Sequence, residues 1–191
     1  MGEQNVKLND DESTHQAFMK SLLNEVHALE RMLDTGLIET GVRRIGAEQE
    51  MFLVDKAHKP ALKAMEILDI VDDERFTHEL GLFNLEANLS PHRLGGDCLS
   101  QMEKEAQEIY SKARKTAERV GCDIALVGIL PTLTKDNLGL ESMVPTPRYY
   151  ALNDAIRALR GDEFEFTING IDQLVVEHDN VMLEALSLIH I

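Results

Sequence analysis

The stretch "GVRRIGAEQEMFLVD", residues 41–55, limits the fold more than any other part of the chain. Its polarity alternates with a period of two before giving way to four successive apolar residues. Side chains two apart in an extended segment share a face. Ile45, Ala47, Gln49, Met51 and Leu53 therefore lie on one side, and Glu48, Glu50, Phe52 and Val54 on the other. The segment from 42 to 54 is read as a strand that enters a core. Two carboxylates then project in parallel, roughly 6 to 7 Å apart along the strand. In a partly buried site such a pair is stable only beside a positive group: an arginine, a lysine or a hard divalent cation such as Mg²⁺. A strand whose acidic face looks onto solvent accounts for the same pattern.

The device recurs. "RFTHELG" and "LFNLEANLSP" read as extended segments on either side of Gly81, the second ended by Pro91. In the second, Glu86 and Asn88 share one face while Leu85, Ala87 and Leu89 share the other. Three carboxylates from two strands, with an amide beside them, make a hard-oxygen set of the kind that holds Mg²⁺ and leaves coordination positions for phosphate. For Glu86, too, a solvated strand face is the competing reading.

Helical periodicity surrounds these strands. Residues 13–35 run apolar at Phe18, Leu22, Val26, Leu29 and Leu33, with Ser13 and Gln16 in capping-box spacing and Gly36 as a stop. "ALKAMEILDIV" has helical spacing at Leu62, Met65 and Leu68 to Val71. "SQMEKEAQEIYSKARKTAERVG" pairs Ser100 with Glu103 as a cap, carries a narrow stripe at Met102, Ala106, Ile109, Ala113 and Ala117, and ends at Gly121. Its charged residues from 103 to 118 read as a solvated face with i,i+4 pairs. "CDIALVGILP" reads as a buried strand with an exit loop, and "TPRYYALNDAIRALRG" as a helix with Thr146 as cap and Pro147 in its first turn. "EFEFTING" and the segment after it close as strand and mixed structure. Strands with helices on either side of them along the chain make a mixed, α+β pattern.

Charge narrows the function classes. Thirty-four acidic residues against nineteen basic ones leave a net charge of −15, which repels nucleic acid and anionic membrane surfaces. No segment approaches the roughly 18 apolar residues of a membrane span. Cys98 and Cys122 show no ligand or disulfide spacing, which fits a reducing cytoplasmic setting. No phosphate-binding glycine motif and no nucleophile with a paired base occurs. His27, His58 and His78 share no motif.

Four stretches, taken in order, resemble one family. "IGAEQEMFLVD" is similar to the G-x-E-x-E-x-x-L-V-D opening strand of the glutamate–cysteine ligase family, in particular its bacterial carboxylate–amine ligase branch. "LGLFNLEANLSPHR" resembles that family's next acidic strand, "IALVGILPTL" its A-x-G-x-x-P strand and loop, and "PTPRYYAL" its Arg-Tyr helix start. Order and spacing agree from about residue 41 to residue 160. The resemblance implies a glutamine synthetase-like catalytic domain, in which a curved antiparallel sheet forms a funnel-shaped site. It implies ATP-dependent phosphorylation of a glutamate side-chain carboxylate, followed by attack of an amine, typically that of cysteine, on the acyl phosphate. Carried over by position, Glu48, Glu50 and Glu86 would be ligands of Mg²⁺ or Mn²⁺, and Arg148 would bind an anionic substrate group or phosphate. Phosphoryl transfer between anions needs charge neutralisation and alignment more than an acid or a base, which suits these roles.

The resemblance also sets expectations about extent. Residues 1–36 read as a polar arm and a helix that either packs outside the sheet or mediates homo-oligomerisation. Residues 37–185 read as the N-terminal part of a ligase catalytic domain, and 186–191, "LSLIHI", as a non-native tail. The family's domain is about twice as long as the matching region, so the chain is expected to be truncated and inactive by itself. The reading from another class is a non-catalytic interaction or regulatory module on the same sheet, with its glutamates solvated.

Overall fold

The computed structural model describes residues 12–160 and two further strands, 164–169 and 173–178. The expected tail at 186–191 and the arm before residue 12 lie outside the described residues. The acidic strand is β2 (Glu48–Val54), and it is interior to the sheet. Together with β3 (Phe76–His78), β4 (Asn84–Asn88) and β6 (Asp123–Ala125) it forms a four-stranded antiparallel sheet in the order β3-β4-β2-β6. The pair of strands β2 and β4 resumes beyond a break as β1 (Arg44–Ile45) and β5 (His92–Arg93), with the Leu89 amide donating to the Ala47 carbonyl at 2.9 Å between the two ladders. The strand read over 42–54 is thus two strands, interrupted at Gly46 and Ala47.

Because β2 is covered on both sides, its apolar run divides between two cores. Met51 and Leu53 join Leu85, Ala87 and Ile124 against α2 (Ala64–Val71) and α3 (Cys98–Arg119). α3 faces the sheet with Ile109, Ala113 and Ala117, all fully buried, and these small side chains let the helix lie close. It stops at Gly121, whose φ of 81° is left-handed and costs glycine little. Phe52 and Val54 point the other way, into a second core of Leu80, Phe83, Leu130 and Met143. The long segment after β6 folds over this side. It is tied down by Leu82 N–H to Ser142 O and Val144 N–H to Leu80 O, both 2.8 Å. α4 (Pro147–Arg160) follows and packs Tyr149 and Ile156 on the same core. At Gly81 an added Cβ would come within 3.1 Å of the Phe83 ring, so a side chain there would crowd that ring. A separate hairpin, β7 (Phe164–Asn169) with β8 (Gln173–His178), completes the described elements. The fold is α+β with antiparallel sheets, as the family resemblance implies.

Local readings need correction where tertiary contacts outvote them. α2 buries Ala64, Ile67 and Val71 and exposes Met65, while Leu62 lies exposed ahead of the helix, so the inward stripe is rotated from the one read in the sequence. α3 begins at Cys98, ahead of Ser100, and the Asp97 carboxylate accepts a bond from the Gln101 side chain at 2.8 Å instead of capping the backbone. Helix α1 (Glu12–Asp34) likewise already contains Ser13. Thr146 caps α4 through its carbonyl, which accepts from Tyr149 N–H at 3.1 Å, while its buried hydroxyl has no partner among the described residues. β6 has three residues, and Leu126, Val127 and Ile129 are exposed, so the apolar run there belongs mostly to a surface loop.

The charged face of α3 also differs from a solvated stripe. Glu105 accepts from the Ser90 backbone at 3.0 Å and from the Arg75 guanidinium at 3.1 Å. Arg75 in turn donates to Asp73 at 2.8 Å and to Glu108 at 3.1 Å, and Lys112 reaches Asp73 at 2.9 Å. This network fastens α3 to the turn between α2 and β3.

Candidate functional site

The side of the sheet away from α2 and α3 carries the acidic residues, and the strand register brings them together. Glu50 on β2 stands directly opposite Glu86 on β4, and Thr77 on β3 stands opposite Glu86 on its other flank, so one row of the sheet reads Thr77, Glu86, Glu50. Directly paired residues share a face and lie about 4.5 to 5.5 Å apart at Cβ. Glu48 is opposite Asn88, one row further out. The Asn88 amide donates to Glu86 Oε1 at 2.6 Å, holding that carboxylate in place. Strand pairing brings Glu50, Glu86 and Asn88, three of the residues singled out in the sequence, onto one face. Glu48 shares the face but is exposed at its rim.

A residue that the sequence reading did not single out completes the cluster. Glu79 follows β3 directly and has the same parity as Thr77, so it reaches the same side. Burial raises its carboxyl from 4.5 to about 8, helped by a hydrogen bond to Glu86 and by the charges of Glu86 and Glu50. At neutral pH Glu79 is therefore largely protonated and donates to Glu86. Its signal was present in "RFTHELG" as the parity it shares with Thr77, but parity has meaning only once β3 is known to pair with β4.

α4 closes the site from the other side. Tyr149 Oη and His78 Nδ1 share a hydrogen bond of 3.3 Å, and the two rings meet edge to face with centroids 5.7 Å apart. Burial raises the Tyr149 phenol, and Glu79 and Glu86 raise it further against the opposing effect of Arg148. Arg148, the second residue of α4, is the chain neighbour of Tyr149 and opposes the rise of its phenol. Among the described residues Arg148 forms no ion pair, which leaves its guanidinium available to an anion near the positive end of the helix.

The donor chemistry fits a hard divalent cation, because Glu50 and Glu86 offer carboxylate oxygens in register and Glu79 adds a third carboxylate once its proton is displaced. As placed, the side chains do not converge on one point: among the described residues no group of three or more His, Cys, Asp or Glu is arranged to hold a metal ion. Gathering the glutamates requires rotamer changes on a fixed strand register.

The shared proton has a consequence for stability. Glu79 in the folded chain keeps a proton that the unfolded chain releases above about 4.5, so the protein loses stability as pH rises from there towards 8. Glu79→Gln retains the donor without the titration. It is expected to match the wild type near pH 4.5 and to exceed it near pH 8 by about 2 kcal/mol, after allowance for solvent screening at this half-buried site. Urea denaturation at the two pH values measures this, and parallel losses for both proteins would refute it.

Comparison with known proteins gives one match. The family model described as glutamate-cysteine ligase family 2 (GCS2) matches residues 44–187. No curated protein and no solved structure matches the chain.

Proposed function

The chain belongs to glutamate-cysteine ligase family 2, and from that premise we propose that it contributes the acidic half of an ATP-dependent carboxylate–amine ligase site, one that joins the side-chain carboxylate of glutamate to a small amine such as cysteine. The observation that carries this reading is the register of Glu50 against Glu86 across β2 and β4, with Asn88 bonded to Glu86; Arg148, in the first turn of α4, is the proposed anion-binding residue. Glu48, Glu50 and Glu86 are the proposed ligands of Mg²⁺ or Mn²⁺, with Glu79 as a further carboxylate beside them. The metal, when bound, would neutralise the charge of ATP phosphates and of the acyl phosphate formed on glutamate. The chain's own residues position the reaction. The ladder between β2 and β4 sets the spacing of the carboxylates, Asn88 orients Glu86, and Arg148 offers a fork of N–H donors to a carboxylate or phosphate.

Other features are in keeping with this reading. No helix among the described residues is long and apolar enough to cross a membrane. Cys98 and Cys122 are buried free thiols, which supports a reducing cytoplasmic setting. The exposure of Glu48 favours, for that residue, the competing reading of a non-catalytic module with solvated glutamates.

Titration with Mg²⁺ or Mn²⁺, followed by thermal unfolding, decides between them. A ligand bound by the folded state at 100 times its Kd stabilises by about 2.7 kcal/mol. The melting temperature should rise with metal in the wild type, and the rise should vanish in Glu50→Gln and Glu86→Gln. It should persist, weakened, in Glu48→Gln. A wild type indifferent to both cations would refute the ligase site.

A further inference from the structure

We propose that α1 is a pairing element through which two copies of this chain associate, their helices antiparallel. α1 runs for 23 residues, and each of its side chains that the structure describes is exposed. Met19, Leu22, Val26, Leu29 and Leu33 are between 41% and 60% exposed. Their spacing alternates three and four, which is the a and d pattern of a helix that pairs with another helix along a 3.5-residue repeat. Phe18, Leu23 and Met32 widen the seam and are exposed as well. A monomer seldom leaves so continuous an apolar face in water, and in the antiparallel register below six of these side chains, Leu22, Leu23, Val26, Leu29, Met32 and Leu33, meet the partner helix, a seam smaller than the roughly 800 Å² per partner of a standard interface. α3 is the contrast, because its apolar stripe is buried against its own sheet.

Charge selects both the occupant's orientation and its register. Glu25 and Glu30 flank the seam on opposite edges, at g and e of the heptad. Two parallel copies would set Glu25 of each against Glu30 of the other, which repels. Antiparallel copies aligned so that Leu22 faces Leu33 and Val26 faces Leu29 set Glu25 beside Met32 and Glu30 beside Leu23, with no like charges opposed. Each chain carries a net charge of −15, so association depends on an arrangement that adds no further repulsion at the seam. The seam covers about two heptads, and a helix of this length is marginal alone. The pair should therefore dissociate on dilution.

Sedimentation equilibrium and light scattering on the full chain test the proposal. The wild type should weigh as two chains at high concentration and as one when diluted. The double variant Leu22→Glu/Leu29→Glu should be monomeric throughout, with near-UV circular dichroism and the thermal transition of the sheet unchanged, since α1 lies outside both cores. Glu25→Lys reads orientation. In the antiparallel register its dimer dissociation constant should equal that of Asp69→Lys, an exposed change on α2 with the same effect on net charge. In a parallel pair the new Lys would face Glu30 and tighten the dimer about tenfold relative to that control. A monomeric wild type, a dimer that survives the double variant, or a Glu25→Lys dimer tightened relative to Asp69→Lys would each overturn the proposal.

Discussion

Replacing Phe83 with alanine is expected to destabilise the chain by about 3 to 5 kcal/mol and to loosen the candidate site with it. Phe83 is fully buried, and its ring lies parallel to that of Phe52 with centroids 6.3 Å apart, within the range of favourable aromatic contact. Phe52 is on β2 two residues from Glu50, so this pair supports the strand that carries the site. The ring also fills the core on which the segment around Met143 and the Tyr149 side chain rest. Truncation leaves a cavity there, while the helix-side core is untouched. Denaturant unfolding should show the loss, and the contact between Tyr149 and His78 should weaken, visible as a change in tyrosine fluorescence or near-UV dichroism. Phe83→Leu, which keeps most of the volume, should cost about 1 kcal/mol. A loss below that figure for the alanine variant would show that the second core is not a packed unit.

Arg75→Ala is the other large effect, about 3 kcal/mol, because it strands carboxylates instead of emptying a cavity. The Asp73 and Glu105 side chains are only 10% and 13% exposed, and Arg75 touches both. The guanidinium beside Asp73 holds that carboxyl well below the usual carboxylate range, against the opposing effect of burial and with help from Lys112. At Glu105 burial works in the opposite direction but is outweighed by the bonds from Ser90 and Arg75, so its carboxyl also lies low. Carboxyls depressed on folding contribute stability above their unfolded values, near 4, and lose it as pH falls through the range below. The wild type should therefore weaken steeply below about pH 4, and Arg75→Ala should show a shallower acid limb from a lower plateau. Adding Asp73→Asn and Glu105→Gln to the alanine variant should recover part of the loss, since no buried charge is then left unpaired. If Arg75→Ala were neutral at pH 7, the network would be a surface feature without structural weight.

Much of the fold was legible because it is local. The period of two sets Met51 and Leu53 opposite Glu50 and Phe52 within residues 48–54, and Leu85 and Ala87 opposite Glu86 within residues 84–88, and the structure keeps each assignment. The stripe of α3 and its stop at Gly121 were legible for the same reason. Errors came where a choice depends on what lies across a gap. α2 turns Ile67 inward and Met65 outward because the surface it meets is set by β2, β4 and α3, all distant in sequence. Glu105, spaced like its solvated neighbours, is drawn into the network by Arg75, thirty residues away.

The candidate site divides along the same line. The residues of "GAEQE" and "NLEAN" announce two acidic strand faces, since side-chain parity within one strand follows from backbone geometry alone. That the faces are one face, with Glu50 and Glu86 in register, Glu79 sharing a proton with Glu86 and Tyr149 brought up by α4, follows from pairing between strands and packing of the segment after β6. Pairing and packing are long-range, and no spacing within a single stretch encodes them. The sequence determined which side chains are available and to which side of each strand they point. Tertiary structure decided which of them meet, because the field at a carboxylate depends on its neighbours in space.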